Sequence, residues 1–251
     1  MSENLYQMNP QERFSERSKD YALYRPSYPS EAIDWILEGL GAPDRLIAAD
    51  IGAGTGISSR LLAERGVNVI AIEPNAAMRQ AATPHPLVQF QDGNAESTKL
   101  EDNSVDLVTC FQAFHWFNPE PTLTEFARIL KPGAILVTVW NNRDRQDEFT
   151  AEYSHLIQTT SNNQSELRYG TERFLRDTDL FSSVRHLIFP YSQTLDCKAL
   201  IGRAMSTSYI PKQGELATKF LQDLDRLYEK YQDSDGLVCL KYNTSVYLTS
   251  L

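Results

Sequence analysis

The segment Asp50-Ile51-Gly52-Ala53-Gly54-Thr55-Gly56 constrains this chain more than any other. It follows an apolar run and precedes a helical pattern, so it reads as a strand, a glycine turn and a helix. A second apolar run, Val67 to Ile72, ends on Glu73. Glycines let the backbone turn tightly and come close to a ligand. An acid at the end of the next strand is placed to accept hydrogen bonds from two ribose hydroxyls. Together they predict a nucleoside site in an open α/β sheet. The dinucleotide fingerprint needs a further glycine three residues after Gly54. That position holds Ile57, a β-branched residue, which argues against a nicotinamide-dependent oxidoreductase. The chain instead carries Gly52, Gly54 and Gly56, a G-x-G-x-G turn.

The rest of the chain supports an alternating helix–strand layout. Phe90-Gln91-Asp92-Gly93-Asn94-Ala95-Glu96 follows a short apolar run, and Ser104 to Cys110 reads as a fourth strand leading into Phe111-Gln112-Ala113-Phe114-His115-Trp116-Phe117. Leu123, Phe126, Ala127 and Leu130 recur at the spacing of one helix face, and Lys131-Pro132-Gly133 stops that helix. Ala134 to Trp140 is a fifth, buried strand. Residues 30–140 thus predict a parallel sheet covered on both sides. Before it, residues 1–29 form a polar, aromatic leader, with Ser30 expected as N-cap of the following helix. After it, residues 141–251 supply polar helices outside the sheet and the last strands. One strand spans about Val184 to Thr194, where Pro190 predicts a bulge or an end. Leu216, Phe220, Leu224, Leu227 and Tyr231 trace the core face of a long helix, and Leu237 to Leu248 closes the chain as a strand.

The glycine turn behind Asp50, the loop at Asn94, the fourth strand and the phrase Arg128-Ile129-Leu130-Lys131-Pro132-Gly133-Ala134 fall in one familiar order. Between about residue 10 and residue 142 the chain resembles the class I S-adenosylmethionine (SAM)-dependent methyltransferases of the type 11 group. The resemblance implies one methyltransferase domain: a Rossmann-like α/β fold of seven strands with helices on both faces and an antiparallel C-terminal strand. It implies SAM as cofactor and S-adenosylhomocysteine (SAH) as product. By that likeness Asp50, Gly52, Gly54 and Gly56 form the turn beside the methionine portion, and Glu73 takes the ribose. Asn94 and Ala95 meet the adenine, and Gln112 lies near the sulfonium. The leader closes over the cofactor, with Arg25 toward the methionine carboxylate, which a guanidinium can grip bidentately. The Ala113-to-Phe117 phrase resembles a small-molecule branch that includes trans-aconitate methyltransferase-like proteins.

Methyl transfer from a sulfonium asks for alignment and exclusion of water, with no covalent nucleophile and no metal. His115 and Trp116 are the candidate catalytic residues on the acceptor side: an imidazole can take a proton or donate to a carboxylate, and an aromatic face suits a cation. Phe114 and Phe117 read as core. Arg143, Arg145, Arg168 and Arg203 are the lid-region candidates for holding a carboxylate.

Charge narrows the acceptor. The chain has 24 Lys and Arg against 33 Asp and Glu, net charge -9, with no basic run. That balance disfavours nucleic acid and favours a small-molecule acceptor. The segment after the fourth strand, Cys110-Phe111-Gln112-Ala113, also lacks the Asp/Asn-Pro-Pro-aromatic signature of nucleic-acid amino methylation. No apolar stretch approaches a membrane span, and the start carries no secretory pattern, so the expected setting is soluble and cytoplasmic. The three cysteines, Cys110, Cys197 and Cys239, are too dispersed for a disulfide framework or zinc site and read as buried apolar side chains. A non-catalytic SAM-binding protein or partner subunit is the alternative function, and the sequence assigns no oligomeric state.

Overall fold

The computed structural model describes residues 18–162, 170 and 172–251. The beginning of the leader and Arg168 lie outside the described residues.

The chain forms one seven-stranded sheet in the order β3-β2-β1-β4-β5-β7-β6. Its strands are β1 (Ile47–Ile51), β2 (Asn68–Ile72), β3 (Val88–Gln91), β4 (Val105–Phe111), β5 (Leu130–Arg143), β6 (Arg185–Leu195) and β7 (Val238–Ser250). The first five are mutually parallel, and β7 runs antiparallel to both β5 and β6. Because successive strand side chains face opposite ways, the two faces build separate cores. Ile33, Leu62, Val69, Leu107 and Val137 fill one, beneath helices α2 (Ser30–Leu37) and α3 (Ile57–Ala63). Val108, Phe114, Phe126, Leu136 and Trp140 fill the other, beneath α5 (Pro119–Ile129).

The short helices α1 (Ser18–Tyr24), α4 (Ala76–Gln80) and α7 (Arg173–Arg176) complete the sheet region and leader. A third core lies beyond the sheet proper. There α6 (Glu148–Thr160), α8 (Cys197–Met205) and α9 (Glu215–Tyr231) pack on the overhanging ends of β5, β6 and β7 through Tyr153, Leu200, Phe220, Leu224 and Tyr242. Strand order reverses between β1 and β4, and the crevice at their carboxyl ends is where open α/β sheets bind ligands. The overhanging lid stands beside that crevice.

Several local expectations are corrected. Ser30 is the first residue of α2; Pro29 occupies the N-cap, with no side-chain cap. The helix α5 ends at Ile129, and β5 begins at Leu130, ahead of Lys131-Pro132-Gly133; the β4–β5 register shifts there. Pro190 makes neither a bulge nor an end: β6 pairs with β7 without interruption from Arg185 to Leu195. β6 is the sheet's edge, where a missing N–H has no strand to face. Leu216 is 52% exposed, so α9 buries Ala217 in its place. Cys110 is buried, whereas Cys197 and Cys239 are half-buried; all three are free.

Candidate active site

The glycine turn is required by its packing. Gly52 has φ +71°, and a Cβ there would stand 2.7 Å from the Ala113 Cβ and 3.0 Å from Phe117 Cζ. The turn is therefore pressed against the segment that follows β4. Asp50 holds it from behind. Its carboxylate is fully buried and accepts from Ser58 Oγ (2.7 Å), Ser59 Oγ (2.6 Å) and Thr109 Oγ1 (2.9 Å), tying β1 to α3 and β4. Burial pushes its pKa up against those three donors. Its contribution to the site runs through the turn it anchors.

Glu73 leaves the end of β2 and reaches back to the turn. One carboxylate oxygen accepts the Gly54 N–H at 2.9 Å and the other the Asn75 N–H at 2.8 Å. Each oxygen keeps a lone pair for a further donor. Burial raises the Glu73 pKa against these two N–H donors. Ligand hydroxyls that donate to the carboxylate favour its ionised form and lower its pKa on binding. Affinity for a ribose-bearing ligand is therefore expected to be full above the raised pKa of free Glu73 and to fall as the pH drops through it. A calorimetric SAH titration across the mildly acidic range checks this, and a pH-independent affinity would refute it.

Asn94 and Ala95 sit beyond β3, where Asn94 exchanges backbone hydrogen bonds with Ser97. The Asn94 Oδ1 is shut off from solvent and has no partner, an acceptor left open for an exocyclic amine. Ala95 is buried beside it.

Gln112 follows β4 with φ +55°, a left-handed conformation that costs a non-glycine residue about 1–2 kcal/mol. Two bonds hold it there: its N–H donates to the Val139 carbonyl (2.8 Å) and its Nε2 to the Asn141 carbonyl (3.2 Å). Asn141 in turn donates from Nδ2 to the Ser27 carbonyl at 2.9 Å and accepts from Thr244 Oγ1 at 2.6 Å. The leader and β7 are thus tied through the side chain, and the segment after β4 through the backbone carbonyl, of one buried residue that the sequence reading missed.

Two cavities meet at this point. One, beside the glycine turn, is lined by Tyr21, Arg25, Tyr28, Gly52, Gln112 and Arg203. The other, toward the lid, is lined by Arg25, Gln112, His115, Trp116, Arg143 and Arg203. His115 is buried on a 3-10 turn, 5.2 Å centroid to centroid from Trp116, which stacks on Tyr209 at 6.0 Å. Phe114 is core, and Phe117 packs against the glycine turn. Arg25 lies half-buried over the Tyr21 ring (4.6 Å) and donates from Nη2 to the Ser206 carbonyl at 3.0 Å. Burial, with Arg203 adding like charge, lowers its pKa to about 10. Of the described lid arginines, Arg143 and Arg203 face the second cavity and Arg145 is exposed.

A methyltransferase domain family model matches residues 49–138. An uncharacterised methyltransferase of Mycobacterium tuberculosis is 36% identical over 226 residues, covering 86% of this chain and 87% of the relative. The chain belongs to the class I SAM-dependent methyltransferases. A methyltransferase-like protein of Schizosaccharomyces pombe is 30% identical over 224 residues, spanning 87% and 88% of the two chains. Among solved structures, this methyltransferase superposes with a TM-score of 0.66 on a protein of Anabaena variabilis assigned as a methyltransferase from an antibiotic biosynthesis pathway. That match has 23% identity and covers 92% of this chain and 98% of that one. It supports the fold. No described helix of the methyltransferase is long and apolar enough to cross a membrane.

Proposed function

We propose that the protein transfers the methyl group of SAM to a small-molecule acceptor, a carboxylate among the candidates, by in-line displacement. The observation that carries this reading is the pair of cavities sharing Arg25, Gln112 and Arg203 at the switch point of the sheet. One adjoins the glycine turn and suits the methionine portion of the cofactor. The other adjoins His115 and Trp116 and suits the acceptor.

The residues present fit the cofactor chemically. The open Asn94 Oδ1 suits the adenine amine, the Glu73 carboxylate suits two ribose hydroxyls, and the inaccessible, unpartnered Nε of Arg25 suits a carboxylate. When bound, SAM supplies an electrophilic methyl whose bonding pair stays on sulfur as the acceptor's lone pair forms the new bond. The chain's task is alignment and exclusion of water. Gln112, fixed in its strained conformation, and the Trp116–Tyr209 stack wall the junction. His115 takes the proton of a hydroxyl or amine acceptor, or donates to a carboxylate acceptor, which needs no base at neutral pH. The acidic charge balance supports a small metabolite, rather than nucleic acid, as the acceptor.

Calorimetric titration with SAH is the test. Saturable one-to-one binding, with no binding of NAD, is expected, followed by transfer of labelled methyl from SAM to members of a small-acid panel. Absence of SAH binding by folded, ligand-free protein would overturn the reading.

A further inference from the structure

The second cavity carries more positive charge than the cofactor can neutralise. Arg203, buried on α8, donates from Nε to the Tyr242 hydroxyl at 3.3 Å, and Arg25 donates to the Ser206 carbonyl. Among the described residues neither forms an ion pair, and no acid lines either cavity. A buried charge without a counter-charge is costly. SAM brings one carboxylate together with an ammonium and a sulfonium, so its arrival adds net positive charge. One of the two guanidiniums can take that carboxylate; the other has no counter-charge among the described residues until the acceptor enters.

The surroundings divide the two roles. Arg25 belongs to the leader, whose Pro26 and Tyr28 line only the cavity beside the glycine turn. Arg203 belongs to the lid, and the nearby lid residues Thr207, Ser208 and Tyr209 line only the second cavity. Tyr242 pins the Arg203 Nε, leaving its two terminal nitrogens for a ligand. The Tyr153 hydroxyl, fully buried near Arg203, Arg143 and Arg25, has no hydrogen-bond partner either and adds an unused donor to the cluster.

Resting on the function proposed above, we infer that Arg203 anchors a carboxylate of the acceptor that is not the atom methylated. The acceptor is then bifunctional, with an anchoring carboxylate and a separate nucleophile. A carboxylate that accepts a methyl loses its negative charge on the way to the ester. A bidentate guanidinium grip on that same group would stabilise the ground state more than the transition state, which slows the reaction. A grip on a second, spectator carboxylate keeps its strength throughout and positions the nucleophile without that cost.

The test reads the melting temperature of the SAH-saturated protein with three matched probes: succinate, monomethyl succinate and dimethyl succinate, each at millimolar concentration. Both acids should raise it and the neutral diester should not. Arg203→Gln should weaken acid binding about tenfold or more, the scale of a lost charge-assisted contact. Arg203→Lys, which keeps the charge but loses the fork, should weaken it less and guards against a Gln variant that fails to fold. Arg45→Gln, at an exposed position just ahead of β1, should change nothing. The inference fails if neither acid shifts the melting temperature, if the diester matches the acids, or if the shift in folded Arg203→Gln or Arg203→Lys protein equals that of the unsubstituted protein. Loss of the SAH shift itself would instead strike the underlying function.

Discussion

Replacing Glu73 by alanine is expected to lower SAH affinity at least about a hundredfold, and with it the SAH-induced rise in melting temperature. In the proposed cofactor site two ribose hydroxyls would lose a charged acceptor, each such bond contributing about 1.5–3 kcal/mol. The protein also loses stability before any ligand is added. Gly54 and Asn75 donate their N–H groups to the two carboxylate oxygens at 2.9 and 2.8 Å, in a buried setting. Each stranded N–H costs about 1–3 kcal/mol, so a loss of about 2–6 kcal/mol is expected in chemical denaturation. The Gln variant separates the two effects. It keeps an acceptor for one N–H, so its stability loss should be roughly halved, yet it removes the charge and should still bind SAH weakly. An Ala variant whose SAH shift matches wild type would remove Glu73 from the ligand site and leave it a purely structural acceptor for the turn.

Why the sequence singles out Glu73, yet names Arg203 only as one of four lid-region arginines, follows from the range of the interactions that place them. The glycine turn, the strand before it and the acid after β2 are local patterns: periodicity marks the strands, and only glycine tolerates φ +71° with Ala113 packed on it. The sheet follows from that alternation and the resemblance together. Pro190 was misread because an edge position is a property of strand order, which no local window contains. Leu216 is exposed because its neighbour Ala217 takes the core-facing position in the first turn of α9. Asp50 looks like a site residue in sequence, but its three hydroxyl partners come from α3 and from β4 across the sheet. Arg143, Arg145 and Arg203 are indistinguishable in sequence. Arg203 becomes buried through Tyr242, contributed by another element of the lid. The signal that could have pointed to α8 was its glycine: Gly202 interrupts a helical pattern, and an interior helix glycine needs a packing reason.

That reason yields the second large effect, a substitution whose sign reverses with its neighbour. A Cβ on Gly202 would stand 2.2 Å from Tyr24 Cδ2 and 2.3 Å from Cε2, with Cγ at 2.7 Å, so the whole ring must move. Tyr24 ends α1, its carbonyl accepts from Gln193 Nε2 at 3.0 Å, and the next residue is Arg25. Displacing the ring therefore lifts the leader off the lid and takes Arg25 from the wall it gives both cavities. Gly202→Ala is expected to lower SAH affinity about tenfold, the scale of one lost charged contact, and to speed proteolysis of residues 18–29. In a Tyr24→Ala background the obstruction is gone, and only helix propensity remains. There Gly202→Ala should stabilise the protein by up to about 1 kcal/mol, because alanine outranks glycine inside a helix by that amount. A double-mutant cycle on melting temperature and SAH affinity measures the coupling, expected at about 1–3 kcal/mol for groups in direct contact. Equal costs for Gly202→Ala with and without the Tyr24 ring would mean that something other than this contact demands the glycine, and that the leader docks on the lid by other means.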